Sequence, residues 1–458
     1  MNDAIHTYFQ QNQDRFLEGL KNFLRIPSIS TLPEHKGDVR RAAEFVAGEL
    51  REMGLKSVEI IEGKPDQHPL VYAEWLEAPG KPTLLCYGHY DVQPPDPLDE
   101  WHSPPFEPTI RGKNIYARGA VDDKGQTYLI LKAVEGFLKT EGKLPINVKF
   151  LIEGEEEVGG GFIEEFVARK DGKLHADVAL VCDTEMFAPE LPTITTGLRG
   201  LIYSEVEARG AEHDLHSGMY GGAAPNPVQA LAEIITGLKG RDGKIRIPGY
   251  YRRVKKPSRT ELKAWHSLPF SEKAFLKKEV GSIALTGEKG IPVLERLWAR
   301  PTFEVHGIRG GFTGDGAKTV IPAAATAKIS LRLVPDMRPE ESVRQFTAAV
   351  KKLTPKGIKT TVRILSKAPA SLVPTDSRWI AASAEAMHQV FHKKTVFMRS
   401  GGSIPIVGLF QKHLSIPSVM MGFGLPDDNL HAPNEKFHIP NFYRGMESVA
   451  RFMALLGK

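Results

Sequence analysis

Imidazoles and carboxylates recur at five points of this chain, each at the end of an apolar run, before a helical pattern or in a polar loop. The first is Gly88-His89-Tyr90-Asp91-Val92, which follows a strand-like run at 83–87. Residues two apart in a strand share a face, so this imidazole has a carboxylate on its own side. A ligating histidine needs its second ring nitrogen held by an acceptor, and Asp91 is spaced to be one. The second point is Arg118-Gly119-Ala120-Val121-Asp122-Asp123-Lys124-Gly125, just ahead of a helical pattern. Either aspartate suits a helix N-cap. A carboxylate fixed at such a junction also suits a bridge between two cations, because each oxygen can serve a different metal. The third is Glu153-Gly154-Glu155-Glu156-Glu157-Val158-Gly159-Gly160, after the apolar run 146–152. Charge runs are usually solvated faces, but this one follows a strand of the same sheet and shares the edge on which open α/β sheets place their sites. Asp183 ends the next apolar run, and His431 lies in the late polar loop Asp427-Asp428-Asn429-Leu430-His431-Ala432-Pro433-Asn434.

His89, Asp122, Glu157, Asp183 and His431 together exceed what one tetrahedral site needs. Mixed imidazole and carboxylate ligation suits zinc, with manganese or cobalt acceptable, and one carboxylate to share implies a pair of metals. With Glu157 as a ligand, Glu156 is left beside the metals as a candidate general base. Competing motifs fail: there is no His-Glu-x-x-His helix and no Gly-x-Ser-x-Gly elbow. The stretch 311–319 resembles a phosphate loop but has Ala317 between Gly316 and Lys318 and runs into Pro322 and a strand, so nucleotide binding is rejected.

The elements that must position these groups alternate. Ile5, Phe9, Phe16, Leu20, Phe23 and Leu24 mark an amphipathic opening helix that ends at Ile26-Pro27. A second helix stops at Gly54; short strands follow at 58–61, 70–73 and 83–87, a helix at 124–139, a strand at 146–152, a helix at 162–168 and a strand at 178–182. Such alternation predicts an α/β fold, a mixed, largely parallel sheet covered by helices on both faces. After Gly197-Leu198-Arg199-Gly200 the texture changes: a long alternating strand at 201–207, a helix at 227–238, then strand, helix and strand at 325–334, 340–353 and 360–365. These suggest a smaller α+β module inserted into the first domain. The stretch 241–300 yields only a helical run at 271–279 and a basic patch, Arg252, Arg253, Lys255 and Lys256. The catalytic domain is thus predicted over 1–198 and 367–458, with 199–366 inserted.

The 458 residues are too many for one compact core, and 60 Lys plus Arg against 55 Asp plus Glu leave a net charge of +5, too small to imply nucleic acid as a partner. Cys86 and Cys182 cannot build a disulfide framework and suit a reducing, cytoplasmic setting. The N-terminus, Met1-Asn2-Asp3 followed by a polar helix, lacks the pattern of a secretion signal, and no apolar run approaches membrane-spanning length, so neither secretion nor a membrane is expected.

On these motifs the chain resembles the co-catalytic di-zinc metallopeptidases, a family that includes carboxypeptidase G, aminoacylase, acetylornithine deacetylase, succinyl-diaminopimelate desuccinylase and the cytosolic nonspecific dipeptidase (carnosinase) branch. The likeness extends through Asp214-Leu215-His216-Ser217-Gly218, Lys318-Thr319-Val320-Ile321-Pro322, Arg332-Leu333-Val334-Pro335 and Gly401-Gly402-Ser403-Ile404-Pro405, and points to the dipeptidase branch. The resemblance implies a zinc-exopeptidase fold whose inserted domain serves as lid and dimerisation surface. One metal would be held by His89, Asp122 and Asp183 and the other by Asp122, Glu157 and His431, with Asp91 behind His89 and a cis peptide before Asp123. Glu156 would take a proton from the attacking water and return it to the leaving amine. His216 would reach into the site of the partner subunit of a homodimer to stabilise the oxyanion. Arg332, Thr319 and Ser403 would clamp the C-terminal carboxylate of the substrate. The implied activity is hydrolysis of dipeptides or short peptides, with N-acyl-amino-acid deacylation as the alternative. One departure is Ser400, where the dipeptidases tend to have Glu after the arginine, a change that bears on the field at the amino end of the substrate. The basic patch of the 241–300 insertion is expected to be a solvated face.

Overall fold

The computed structural model describes residues 3–169 and 171–458; Met1 and Asn2, from which the N-terminal reading starts, lie outside them. The chain forms two compact units, one made of Met1–Thr196, Val373–Met398 and Ile406–Lys458, the other of Gly197–Leu372 and Arg399–Pro405. The segment Arg399–Pro405, read from sequence with the outer domain, packs with the inserted unit.

The larger unit is built on a mixed sheet. Its strands run in the order Ser57–Ile61, Leu70–Trp75, Asn147–Glu153, Thr83–His89, Val178–Val181, Ser418–Met420 and Thr193–Leu198. The four central ones are parallel, and the pairings outside them are antiparallel. Parallel strands are covered on both faces and therefore read as unbroken apolar runs; Thr83–His89 and Asn147–Glu153 are buried along almost their whole length. Register puts His89 opposite Glu153, so the strands deliver their chemical groups to one carboxyl-terminal edge. Cys86 lies mid-strand opposite Phe150 and Leu180, and both cysteines are free and buried.

Helix Lys124–Glu141 follows Asp122 and Asp123 and is enclosed by strand Thr83–His89 and by helices Asp3–Gln11, Gln13–Leu24, Lys36–Met53 and Ile439–Leu456. Burial rather than propensity holds it. Gly125 and Gly136 each cost about 1 kcal/mol relative to alanine, yet a Cβ at 125 would stand 2.1 Å from the Ala120 carbonyl and one at 136 would stand 2.5 Å from the Phe9 ring. Lys124 is buried within it and donates from Nζ to the Phe23 and Ile26 carbonyls. Burial pushes its pKa down to about 7. The opening helix expected as one piece is two, Asp3–Gln11 and Gln13–Leu24. Asn12 lies between them, its side-chain amide and its own N–H both donating to the Tyr8 carbonyl, at 2.8 and 3.1 Å.

The inserted unit carries an antiparallel sheet in the order Thr302–Gly310, Ala324–Leu333, Gly200–Arg209 and Lys359–Ala368. Strand Gly200–Arg209 alternates buried and half-buried residues, the period-two signature of a sheet with one covered face. Helices Pro227–Leu238 and Pro339–Leu353 supply the cover: Leu231, Ile234, Phe346 and Val350 join Ile202, Val206 and Ile329 in one core. Within 241–300, helix Arg259–His266 starts at a capping box formed by Ser258 and Glu261, and Trp265 meets Trp298 edge-on at 5.2 Å. Within the basic patch Arg252 and Arg253 share Glu341, and Lys255 pairs with Asp336. Among the described residues no helix is long and apolar enough to cross a membrane.

Candidate metal centre

The carboxyl-terminal edge of the large sheet gathers two sets of metal-capable donors, His89 with Asp122 and Asp183, and Asp122 with Glu157 and His431. Within each set the donor atoms lie within 4.8 Å of one another, and Asp122 is common to both. His89 ends its strand, Asp183 lies two residues beyond Val178–Val181, and Glu157 sits in the tight turn after Asn147–Glu153. Asp122 precedes helix Lys124–Glu141, and the Asp122–Asp123 peptide is cis. His431 comes from the loop after Ser418–Met420 with φ of 59°, in the left-handed region that non-glycine residues seldom occupy.

His89 Nε2 stands 3.1 Å from Asp122 Oδ1, and His431 Nε2 stands 2.9 Å from Asp122 Oδ2 and 3.4 Å from Glu157 Oε2. Both imidazoles thus turn one nitrogen toward the shared carboxylate. On its other side His89 Nδ1 lies 3.1 Å from the Asp91 carbonyl and 3.4 Å from the Asp91 carboxylate. The Asp91 carboxylate also accepts from Ser30 Oγ at 2.6 Å and from the backbone N–H groups of Glu156 and Glu157 at 3.3 and 3.1 Å. One aspartate therefore fixes both a histidine and the turn that carries the two glutamates.

The acidic run is sorted rather than solvated. Glu153 accepts from the Tyr87 hydroxyl at 2.7 Å, Glu155 accepts from the His68 N–H at 2.7 Å, and Glu157 accepts from Gln93 Nε2 at 2.7 Å while facing His431. Glu156 keeps its side chain for other work. Burial, aided by the charges of Glu157, Asp122 and Asp91 against that of His89, pushes Glu156 up to about 8. Asp183 is likewise raised, by burial and by Asp123 and Asp122. Burial alone would raise Asp122 as well, but hydrogen bonds from His431 and His89 hold it well below the usual carboxylate range. The same bonds, from Asp122 and Glu157, push His431 up to about 10. Carboxylates crowded together at a buried edge, with neutral-capable imidazoles turned toward them, fit divalent cations, which relieve the repulsion and use every donor.

Glu435 is a residue that spacing did not reveal. It is buried and accepts from Arg118 Nη1 at 2.7 Å and from the backbone N–H groups of Gly119, Val121 and Asp122 at 2.8, 3.0 and 3.1 Å. It therefore moulds the turn that presents Asp122. Replacing it with alanine strands a buried guanidinium, and Glu435→Ala is expected to lose about 3–5 kcal/mol of stability. Urea unfolding of the variant measures this, and a midpoint unchanged from wild type would remove Glu435 from that role.

The remaining predicted residues lie in the inserted unit. Arg332 Nη1 donates to Ser403 Oγ at 2.8 Å, so these two meet. Among the described residues no hydrogen bond ties Thr319 to them; it adjoins the two-residue ladder of Leu215–His216 with Val320–Ile321, its carbonyl accepting from Ser217 N–H at 3.0 Å. His216 is exposed on that ladder, its Nδ1 accepting from Gly218 N–H at 3.1 Å. Ser400 does not leave Arg399 without an anion, because Glu261 of the capping box accepts from Arg399 Nε at 3.1 Å and Nη2 at 2.5 Å.

Comparison with known proteins places these features in a wider group. The model of peptidase family M20/M25/M40 matches residues 85–455. The Cys-Gly metallodipeptidase DUG1 of Candida albicans is 31% identical, with 98% of this chain and 96% of that protein aligned. The human Beta-Ala-His dipeptidase is 30% identical over 98% of this chain and 92% of its own length. Among solved structures, human carnosine dipeptidase 1 superposes with a TM-score of 0.87 at 29% identity, covering 99% of this chain and 98% of that one. The M20 family metallo-carboxypeptidase Sso-CP2 of Sulfolobus solfataricus also gives 0.87, at 31% identity, covering 96% of this chain and 99% of that one.

Proposed function

The chain belongs to peptidase family M20/M25/M40, and from that premise we propose how its own residues carry out the reaction. It is a metallodipeptidase, a hydrolase of the peptide bond in dipeptides, and N-acyl-amino-acid deacylation is not favoured, since the relatives named above are peptidases. The observation that carries the mechanistic reading is the meeting of two donor sets at Asp122 with Glu156 alongside. His89, Asp122 and Asp183 would hold one divalent cation, and Asp122, Glu157 and His431 a second. The imidazole and carboxylate mixture favours zinc, with manganese or cobalt acceptable.

When bound, such a pair of cations acidifies water and polarises a carbonyl. The protein supplies the rest. Glu156 takes the proton of the attacking water on its carboxylate and hands it to the leaving nitrogen, so that the amine departs neutral. Asp91 holds the His89 tautomer and the Glu156 turn together. Arg332 and Ser403 bind the free C-terminal carboxylate of the substrate, with Thr319 as a further donor, and His216 supplies a hydrogen bond to the developing oxyanion from a second subunit.

A homodimer is part of this reading. Its support is the edge strand Thr302–Gly310, which leaves Ile308 51% exposed while Met219 and Phe312 of the same unit are 75% and 45% exposed, apolar surface of the kind a partner covers. A cytoplasmic setting is supported by the two free cysteines.

Rates on a panel of dipeptides and the matching N-acetylated amino acids, with zinc, manganese or cobalt added to metal-stripped protein, test the function. Dipeptides are expected to be cleaved faster in every metal that restores activity. Faster turnover of the acetylated substrates would instead assign the chain to the deacylases.

A further inference from the structure

Arg332 and Ser403 do not stand alone. Arg199 precedes strand Gly200–Arg209, and in the antiparallel register Leu201 faces Arg332, which brings the two arginines to one end of the sheet. Arg199 clasps the 401–403 loop: Nε donates to the Gly401 carbonyl at 2.9 Å, its backbone N–H donates to the Gly402 carbonyl at 3.0 Å, and its own carbonyl accepts from Ser403 Oγ. Ser403 Oγ in turn accepts from Arg332 Nη1 at 2.8 Å, so one hydroxyl links both residues. A side chain at Gly401 would meet Arg199 Nη2 at 2.9 Å, so the loop is cut to fit this guanidinium.

What is missing is an anion. Among the described residues no carboxylate forms an ion pair with Arg199 or Arg332, and Arg199 Nη1 is buried without a hydrogen-bond partner. Glu304, the acid that most influences Arg199, is paired with Lys239. Burial lowers the pKa of both arginines, that of Arg199 to about 10 with the charge of Arg332 adding to the effect. Two partly buried like charges without a counter-ion are unfavourable by themselves and become favourable when an anion enters between them.

We propose that Arg199 is a second substrate-binding residue, its Nη1 donating, together with Arg332 and Ser403, to the C-terminal carboxylate of the dipeptide. This rests on the carboxylate-clamp reading above and extends it to a residue outside that clamp. The site is a two-guanidinium pocket for one carboxylate, which makes the free acid at the C-terminus the main determinant of substrate choice.

Steady-state kinetics of the metal-loaded enzyme on a dipeptide and its C-terminal amide test this in three variants, Arg199→Gln, Arg199→Lys and Arg332→Gln. Arg199→Gln is expected to raise KM for the free acid about ten- to a hundredfold, the effect of losing one charge-assisted hydrogen bond, with a smaller change in kcat and little loss on the amide. Arg199→Lys, which keeps the charge, should recover part of the KM. If Arg332→Gln discriminates acid from amide but Arg199→Gln weakens both equally, Arg199 only braces the loop and this inference is overturned while the clamp stands. If neither arginine variant discriminates, the clamp itself is wrong. Should Arg199→Gln fail to fold, Arg199→Lys decides: a KM rise confined to the acid supports the assignment, and equal effects refute it.

Discussion

Glu156→Gln is expected to bind the wild-type complement of metal, fold with an unchanged melting temperature and lose on the order of 10²–10⁴-fold in kcat. The amide is isosteric with the carboxylate and its backbone N–H still reaches Asp91, so the turn that holds Glu157 survives. What disappears is the only group on the turn left without another partner: Glu153, Glu155 and Glu157 are engaged by Tyr87, His68 and Gln93. The pH profile adds a second test. Burial pushes Glu156 up to about 8 without cations, which bring it lower when they bind. A base works only when deprotonated, so wild-type kcat/KM falls as pH drops through the pKa of this group, whereas the residual rate of the variant lacks that acid limb. Metal analysis, a thermal melt and a pH series on one preparation make the comparison, and wild-type turnover in the variant would remove Glu156 as the base.

Asp122→Ala is expected to be the more damaging substitution for metal, because Asp122 belongs to both donor sets. Losing it deprives each set of an anion and leaves His89 and His431 without the carboxylate toward which both turn. Two cations supply several kcal/mol of transition-state stabilisation, and each 1.4 kcal/mol is tenfold, so activity should fall on the order of 10³-fold or more. Chelator-treated wild-type protein should regain its rate when zinc or manganese is returned, whereas the variant should not, and its metal content should stay near zero at micromolar supply. Retention of both metals with full activity would show that Asp122 does not bridge. Asp183→Ala, which touches one set only, provides the graded comparison.

Much of this was legible in sequence, and the reason is local. His89 ends a long apolar strand, Glu157 follows another and Asp183 a short one, so β/α alternation assigns these three to one sheet edge, whereas Asp122 follows Asn114–Tyr116 of a separate three-stranded sheet and is placed by the helix it precedes. The antiparallel character of the inserted sheet is legible for a related reason, since Gly200–Arg209 alternates in sequence as it does in burial. Glu435 is invisible to the same reasoning: its four donors lie 313 to 317 residues away, and its neighbours in sequence describe only a polar loop. Glu261 is hidden likewise, for its capping box predicts a helix start, while its pairing with Arg399 spans 138 residues. Helices Arg259–His266 and Val293–Ala299, which meet through Trp265 and Trp298, are only 8 and 7 residues long, so periodicity has little to find there. Apolar spacing runs straight through Asn12, so periodicity reads one helix where the chain forms Asp3–Gln11 and Gln13–Leu24.

The distribution of the donors along the chain also sets an order of events during synthesis. His89, Asp122 and Asp183 all precede the inserted unit, so the first donor set is complete in a nascent chain that has yet to make any of it. The second set closes only when His431 emerges, 309 residues after Asp122, and until then Glu157 has no imidazole to share a cation with. Domains fold as units while the ribosome adds residues one by one. The outer unit is finished only by Ile406–Lys458, which supplies Glu435, the acceptor for the Asp122 turn, as well as His431, so both donor sets take their final geometry only with the last few dozen residues.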